Sequence, residues 1–348
     1  MSLFESSGIE VVGCHAEGEV GRVIVGGVAP PPGETLWDQR SWLKEQGDAL
    51  RRLLLFEPRG GAFVHLNLLV PPKDPRADAA FVIMEPADYP PMSGSNSICV
   101  ATVLLETGRV PMTEPETRLT LEAPGGLVEV VAQCRGGKAE RITVTNVPSF
   151  VFALGATVEV PGFGKLDVDL SYGGDTFALL DARALGFRLE RAEARRLVEA
   201  GEAVKAAVNA QLTIRHPENP AIDFVSFVQF TLPPGTDGQG RMVGRNTVVI
   251  SPGKLDRSPT GTGCSARLAV LQARGEIGVG EPFVGRSILD SEFHCRIERL
   301  TEVGGRPAVV PSISGRAWIT GHHRYLLDSG DPFPAGYTLS DTWFRALD

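Results

Sequence analysis

Short β-like runs dominate the chain, and apolar and polar residues alternate clearly in several of them. In the first half they fall at residues 9–12, 22–25, 63–69, 79–85, 118–122, 127–132 and 141–145; in the second, at 158–160, 176–180, 222–231, 246–250 and 317–320. Strict alternation puts successive side chains on opposite faces, so these runs predict half-buried antiparallel strands. Two longer stretches switch to helical spacing. Residues 34–55 place Leu36, Leu43, Leu50, Leu53 and Leu54 on one face, and residues 190–212 do the same with Leu197, Val198, Val204 and Val208.

Two further segments, 97–105 and 265–271, are apolar on nearly every face, through Ile98, Val100, Val103, Leu104 and Leu105 in one and Ala266, Leu268, Ala269, Val270 and Leu271 in the other. A helix of that kind needs sheet on all sides. Each segment follows a hydroxyl residue and a glycine, Ser93-Gly94-Ser95 or Thr260-Gly261-Thr262, and each closes on a glycine, Gly108 or Gly275. The offset between the copies is 167 residues, the difference between 260 and 93 and between 275 and 108. Two helices that start on a hydroxyl plus glycine and stop on a glycine cap are two copies of one device. Strand, helix, strands, then the Gly-rich helix start is the order in both halves. The pattern therefore predicts an α+β fold of two pseudo-symmetric lobes, each a curved, barrel-like β-sheet around a central helix, with both helix starts meeting at a cleft. Residues 1–152 and 333–348 are expected in the lobe that carries Ser93, and residues 153–332 in the lobe that carries Thr260.

A chain of 348 residues with 43% hydrophobic residues is large enough for two cores. A net charge of −8 and the lack of any basic stretch argue against nucleic acid as a partner. The five cysteines, Cys14, Cys99, Cys134, Cys264 and Cys295, are odd in number and form no C-x-x-C pair, as in reduced cytoplasmic proteins. The first residues lack a signal-peptide pattern, and no apolar run approaches the roughly 20 residues of a membrane span. Localisation is expected to be cytoplasmic, with no membrane partner. His322 and His323 are neighbours in a strand-like run and point to opposite faces, and no H-E-x-x-H grouping occurs, so no metal site is expected. Cys264, one helical turn inside its segment, reads as core packing.

The helix starts carry the chemistry. The first N–H groups of a helix have no partner within it, and the macrodipole adds roughly half a positive charge there. Two Gly-flanked starts could hold one carboxylate, with the hydroxyls of Ser93 and Thr260 at its edges.

The segments Pro90-Pro91-Met92-Ser93-Gly94-Ser95-Asn96 and Asp256-Arg257-Ser258-Pro259-Thr260-Gly261-Thr262-Gly263 resemble the two signature motifs of the proline racemase superfamily, in which each motif usually carries a cysteine at the position of Ser93 or Thr260. Residues 15–22, Glu57-Pro58-Arg59-Gly60, Gly173-Gly174-Asp175-Thr176-Phe177, 312–321 and Asp331-Pro332-Phe333 extend the resemblance along almost the whole chain. It implies the diaminopimelate epimerase-like fold and cofactor-independent chemistry on a proline-like amino acid. Racemases and 4-hydroxyproline 2-epimerases of this family use two opposed residues, one removing the α-proton and one returning a proton to the other face. In members resembling trans-3-hydroxy-L-proline dehydratases the second position is threonine, and only one face is worked on. Thr260 stands there. The resemblance thus implies first a dehydratase, a hydro-lyase of amino-acid catabolism giving Δ1-pyrroline-2-carboxylate, and second a proline racemase or 4-hydroxyproline 2-epimerase. A non-catalytic binder of proline analogues is the third reading.

The same resemblance implies roles. Ser93 is the catalytic base, the N–H groups near Gly94, Ser95, Gly261 and Thr262 bind the substrate, Asp256 contacts the ring amine, and Thr260 faces the substrate. Asp175 and Phe177 are further pocket candidates. A serine hydroxyl is a weak base and needs help, for which His15, His65 and Asp175 are candidates. No metal, flavin or pyridoxal phosphate is implied; relatives often dimerise.

Overall fold

The alternating runs pair as strands that extend well past their apolar stretches. In the computed structural model, which describes residues 8–345 and 347, the elements run in chain order β1 (Ile9–Ala16), β2 (Glu19–Gly26), α1 (Leu36–Glu45), α2 (Ala49–Leu55), β3 (Val64–Val70), β4 (Ala79–Met84), α3 (Gly94–Glu106), β5 (Glu116–Ala123), β6 (Gly126–Arg135) and β7 (Lys138–Thr145). They continue as β8 (Ser149–Val160), β9 (Gly164–Tyr172), β10 (Thr176–Asp181), α4 (Ala194–Gln211), β11 (Phe227–Thr231), β12 (Gly235–Thr236), β13 (Met242–Ile250), β14 (Lys254–Leu255), α5 (Gly261–Ala273), β15 (Phe283–Arg286), β16 (Glu292–Val303), β17 (Arg306–Gly315) and β18 (Ala317–Tyr325). The chain divides into two units, Met1–Val144 with Gly315–Asp348, and Thr145–Ser314.

In the first unit β18 pairs antiparallel with β1, β1 with β2, β3 with β4, and β5 with β6. The two parallel pairings, β2 with β3 and β4 with β5, are bridged by α1–α2 and by α3. In the second unit β8, β9 and β10 are antiparallel neighbours, β10 runs parallel to β11 across α4, and β11 is antiparallel to β13. Strand β13 runs parallel to β15 across α5, β15 and β16 are antiparallel, β16 pairs with β17, and β17 pairs with β8. That last pairing closes a barrel. A parallel pair needs a long crossover, so helices appear at the same two places in each unit.

The inner helices repeat to the residue. Both span 13 residues. Both end on a left-handed glycine, Gly108 (φ 71°) and Gly275 (φ 73°). Both close with the same pair of bonds, Arg109 N–H to the Leu104 carbonyl and Gly108 N–H to Leu105 in one, Glu276 to Leu271 and Gly275 to Gln272 in the other, which is the Schellman arrangement. Every residue from Gly94 to Leu105 and from Gly261 to Leu271 is buried. Helix α3 packs on β1, β2, β3 and β18, and α5 on β8, β9, β10 and β16. Burying each leucine or isoleucine on these faces contributes about 1.5–3 kcal/mol.

Three expectations change. The helix expected over 34–55 is two helices, broken where Gly47 packs on the Trp42 ring with no room for a side chain. Strands β9, β15, β16 and most of β17 lie outside the alternating runs; their alternation is interrupted by charged positions and, in β17, by residues buried on both faces. Residues 315–332, expected in the second lobe, belong to the first unit because β18 completes its sheet along β1, with Ala16 opposite Ala317 and Ile9 opposite Tyr325. The other boundary falls between Val144 and Thr145 rather than after residue 152, since β8 is a barrel strand of the second unit.

Candidate active site

Ser93 begins α3 from an extended backbone (φ −150°, ψ 123°). Its Oγ accepts the backbone N–H of Asn96 at 3.4 Å and the Asn96 side-chain Nδ2 at 2.9 Å, and the Ser95 hydroxyl lies 3.4 Å away. The helix's own ladder starts with Ser97 N–H to the Ser93 carbonyl at 3.0 Å. The N–H groups of Gly94 and Ser95 therefore lie ahead of it, where an anion is favoured. Behind Ser93 the polar groups continue inward. Asn67 Nδ2 donates to Asn96 Oδ1 at 2.7 Å and to the Arg22 carbonyl at 3.1 Å. Asn96 Nδ2 also lies 3.4 Å from His65 Nδ1, and His65 sits between Glu19 (Nε2 to Oε1, 3.4 Å) and Glu85 (Nδ1 to Oε1, 3.5 Å). His65, Asn67, Asn96, Glu19 and Glu85 are all buried. Gly21 on β2 makes this approach feasible, because a Cβ there would stand 2.8 Å from Asn96 Oδ1.

Thr260 begins α5 differently. Its backbone has φ 62° and ψ 101°, and its side chain makes no cap bond. A β-branched residue at positive φ costs about 1–3 kcal/mol and is typical of functional positions. Thr260 Oγ1 donates to Asp256 Oδ2 at 2.7 Å, while Asp256 Oδ1 accepts the Ser258 N–H at 2.7 Å, and Thr260 N–H reaches Ser258 Oγ at 3.1 Å. The ladder starts with Cys264 N–H to the Thr260 carbonyl at 2.8 Å, leaving the N–H groups of Gly261 and Thr262 ahead of it. Gly173 admits this first turn, since a Cβ there would lie 2.1 Å from the Thr262 carbonyl oxygen.

The two copies share a helix length and a glycine stop but differ in N-cap backbone and in side chains. Where α3 has Asn96, the offset puts Gly263 in α5. Gln229, buried on β11, faces that glycine, and neither its oxygen nor its nitrogen has a partner among the described residues. Asn96, with its support of Asn67, is the Ser93 partner that sequence reasoning passed over. The signal was present: a polar side chain three positions after a hydroxyl N-cap is placed to reach back to it.

Of the candidate helpers, His65 lies next to the Asn96 amide. His15 instead accepts the Gly18 N–H at 3.3 Å and stacks on Trp318, and burial holds its pKa below the usual histidine value. Asp175 accepts the Thr176 N–H at 2.7 Å at the start of β10. Phe177, a pocket candidate from sequence, is a core side chain instead: it packs with Phe227, Val248, Ala266 and Val270 and is fully buried. Cys264 is also core, its thiol donating to the Pro259 carbonyl at 3.3 Å. All five cysteines are free and buried. Among the described residues no cluster of His, Cys, Asp and Glu could hold a metal ion, and no helix is long and apolar enough to cross a membrane.

A sheet wrapped around one buried helix, built twice with the same order of antiparallel and parallel pairs, is the diaminopimelate epimerase-like α+β fold. A protein from Pseudomonas aeruginosa described as a predicted epimerase shares it at 16% identity, with a TM-score of 0.53 over 92% of this chain and 100% of that one. The chain belongs to the proline racemase family, whose model, described as proline racemase, matches residues 11–338. It is similar to a hydroxyproline epimerase from Agrobacterium vitis, solved with bound trans-4-hydroxy-L-proline, at 45% identity and a TM-score of 0.92, covering 98% of each chain. A probable proline racemase from Agrobacterium radiobacter K84, solved with bound carbonate, is 44% identical with a TM-score of 0.91 over 97% of this chain and 98% of that one.

Proposed function

We propose that the protein is a trans-3-hydroxy-L-proline dehydratase in which Ser93 is the single base. The observation that carries this reading is the inequality of the two hydroxyls. Ser93 Oγ receives two N–H groups from Asn96, donors that stabilise negative charge on that oxygen. Hydrogen bonds to a charged group contribute about 1.5–3 kcal/mol each. Thr260 spends its proton on Asp256, so the oxygen turns only lone pairs outward and has no proton ready for a carbanion.

In this mechanism helix-start N–H groups hold the substrate carboxylate and the charge that builds as the α-proton leaves; such donors are worth roughly 3 kcal/mol apiece. The Asp256 carboxylate holds the ring ammonium through its charge. Ser93, as the alkoxide, takes the α-proton and becomes the hydroxyl. The electron pair left on the α-carbon forms the ring double bond as hydroxide departs from the adjacent carbon. The removed proton and the hydroxide make up the water lost, and the enamine tautomerises to Δ1-pyrroline-2-carboxylate. The residues themselves supply every group used, so no cofactor enters.

Incubation with trans-3-hydroxy-L-proline and o-aminobenzaldehyde tests the reading. The yellow pyrroline adduct should form with the native protein and not with Ser93→Ala; a native protein that yields none contradicts it. A 4-hydroxyproline 2-epimerase is the second reading, supported by the ligand of the Agrobacterium vitis relative and by the carboxylate of Asp256, placed to draw the proton from Thr260. Inversion at the α-carbon of trans-4-hydroxy-L-proline is its test.

A further inference from the structure

Within the first unit, the strands under α3 carry a buried polar cluster that meets the proposed base only through Asn96. The Arg22 carbonyl can only accept, so the Asn67 group that faces it at 3.1 Å is NH2; the same nitrogen lies 2.7 Å from Asn96, which must therefore present its oxygen. This fixes the Asn96 amide. Its NH2 faces Ser93 Oγ at 2.9 Å and His65 Nδ1 at 3.4 Å. His65 Nδ1 accepts that NH2 only as the bare ring nitrogen, so the ring proton sits on Nε2, which faces Glu19 Oε1 at 3.4 Å. Glu19 comes from β2, His65 and Asn67 from β3, and Asn96 from α3; Cys99 of α3 lies beside Cys14 of β1, and burial pushes the Cys99 thiol well up, which keeps it uncharged there.

We infer that His65, with its Nε2 facing Glu19, is a positioning residue that joins Asn67 in holding the Asn96 amide in the one orientation able to support negative charge on Ser93. The second unit supplies the contrast. Its barrel has the same strands, but the position matching Asn96 is Gly263, and the amide of Gln229 beside it is without a partner among the described residues. Generic packing of the barrel interior does not require the cluster, since the second barrel closes without it. The cluster belongs with the hydroxyl that must carry charge, and it is present on that side alone. A flipped Asn96 would aim its oxygen at Ser93 Oγ and repel the alkoxide.

The inference rests on the reading of Ser93 as the base, and the test separates the two. Turnover of trans-3-hydroxy-L-proline is measured for the native protein, Ser93→Ala, His65→Gln, Glu19→Gln, Ser93→Cys and the double variant Ser93→Cys/His65→Gln. His65→Gln should lower kcat by at least about tenfold, the scale of losing one support of an acid–base group, with KM nearly unchanged. Glu19→Gln, which keeps the shape and removes the charge facing Nε2, should shift kcat in the same direction and serves where His65→Gln fails to fold. A thiol is far more acidic than a hydroxyl, ionising at about pH 8.5 without such support, so in the Ser93→Cys background the His65→Gln loss should shrink to within about twofold. An equal loss in both backgrounds, or native kcat in His65→Gln and Glu19→Gln, overturns the positioning role. Native activity in Ser93→Ala overturns the Ser93 reading itself.

Discussion

Thr260 Oγ1 donates to Asp256 Oδ2 at 2.7 Å, a bond that sets it apart from Ser93, whose Oγ instead accepts two N–H groups of Asn96. A hydroxyl tied to a carboxylate is an acceptor to its surroundings. Ser93, held by Asn96 donors, can carry charge when its proton is gone. One backbone device, repeated 167 residues apart (260 against 93), thus carries two different chemistries through the residues three and four positions away.

Removing the Thr260 hydroxyl should matter little to dehydration. Thr260→Val keeps the shape, and steady-state kinetics with trans-3-hydroxy-L-proline should show kcat within about tenfold of native, less than the loss of a true acid–base group. A Thr260→Val protein as inactive as Ser93→Ala would place Thr260 in the proton path.

Asp256→Asn should damage both binding and turnover. The variant loses the charge that meets the ring ammonium, so KM rises, and kcat/KM falls by about 10²-fold, as for removal of a preorganised charge in an active site. Unchanged kcat/KM would assign Asp256 to the Ser258 turn alone, where it accepts that N–H at 2.7 Å.

Asn96→Ala leaves Ser93 without its 2.9 Å donor. Losing a bond to a charged group costs about 1.5–3 kcal/mol, or roughly tenfold to a hundredfold in kcat. Circular dichroism should show the fold retained, because the Ser97–Ser93 backbone bond still starts α3.

Stability of the second unit should fall with acid through His216. Its Nδ1 accepts the N–H groups of Glu218 and Asn219, both at 3.2 Å, and its ring packs against Phe150 and Tyr172. Burial lowers its pKa from 6.5. The unfolded chain therefore binds the proton first as pH drops, so the contribution is present above the unfolded pKa and is lost as pH falls through the folded one. Thermal melts should show Tm decreasing from pH 7 downward, with a shallower slope for His216→Gln; identical slopes would remove His216 from the account.

Glycine substitutions should rank by what surrounds them. Gly173→Ala sets a Cβ 2.1 Å from the Thr262 carbonyl oxygen and 2.5 Å from Ala266 N, backbone atoms that cannot step aside. Gly108→Ala meets nothing within 4 Å and carries only the cost of φ 71°, about 1–2 kcal/mol. Tm should fall further for Gly173→Ala, and the reverse order would contradict the packing described here.

Much of this was readable in the chain because it rests on local rules. The hydroxyl-glycine starts, the apolar helices and the glycine stops fixed α3 and α5 before any tertiary contact was known, and short β-like runs marked β1 to β6. What stayed hidden depends on partners remote in sequence. Strand β18 reveals its membership only through its register with β1, and β16 is half polar because one face is exposed. His65 and Asn67 read as alternating positions of an ordinary strand; only the fold brings them to Asn96, and only the bond from Thr260 to Asp256 shows which proton is already spent.

The central claim, that Ser93 works one face alone, is tested most directly by nuclear magnetic resonance of trans-4-hydroxy-L-proline incubated with the protein in D2O. That ring has an α-proton and no hydroxyl on the carbon next to it, so elimination is blocked and only proton exchange remains. The account predicts deuterium at the α-carbon with configuration retained, absent in Ser93→Ala. Accumulation of cis-4-hydroxy-D-proline at a rate matching the exchange would contradict it, because inversion needs a second proton donor on the opposite face.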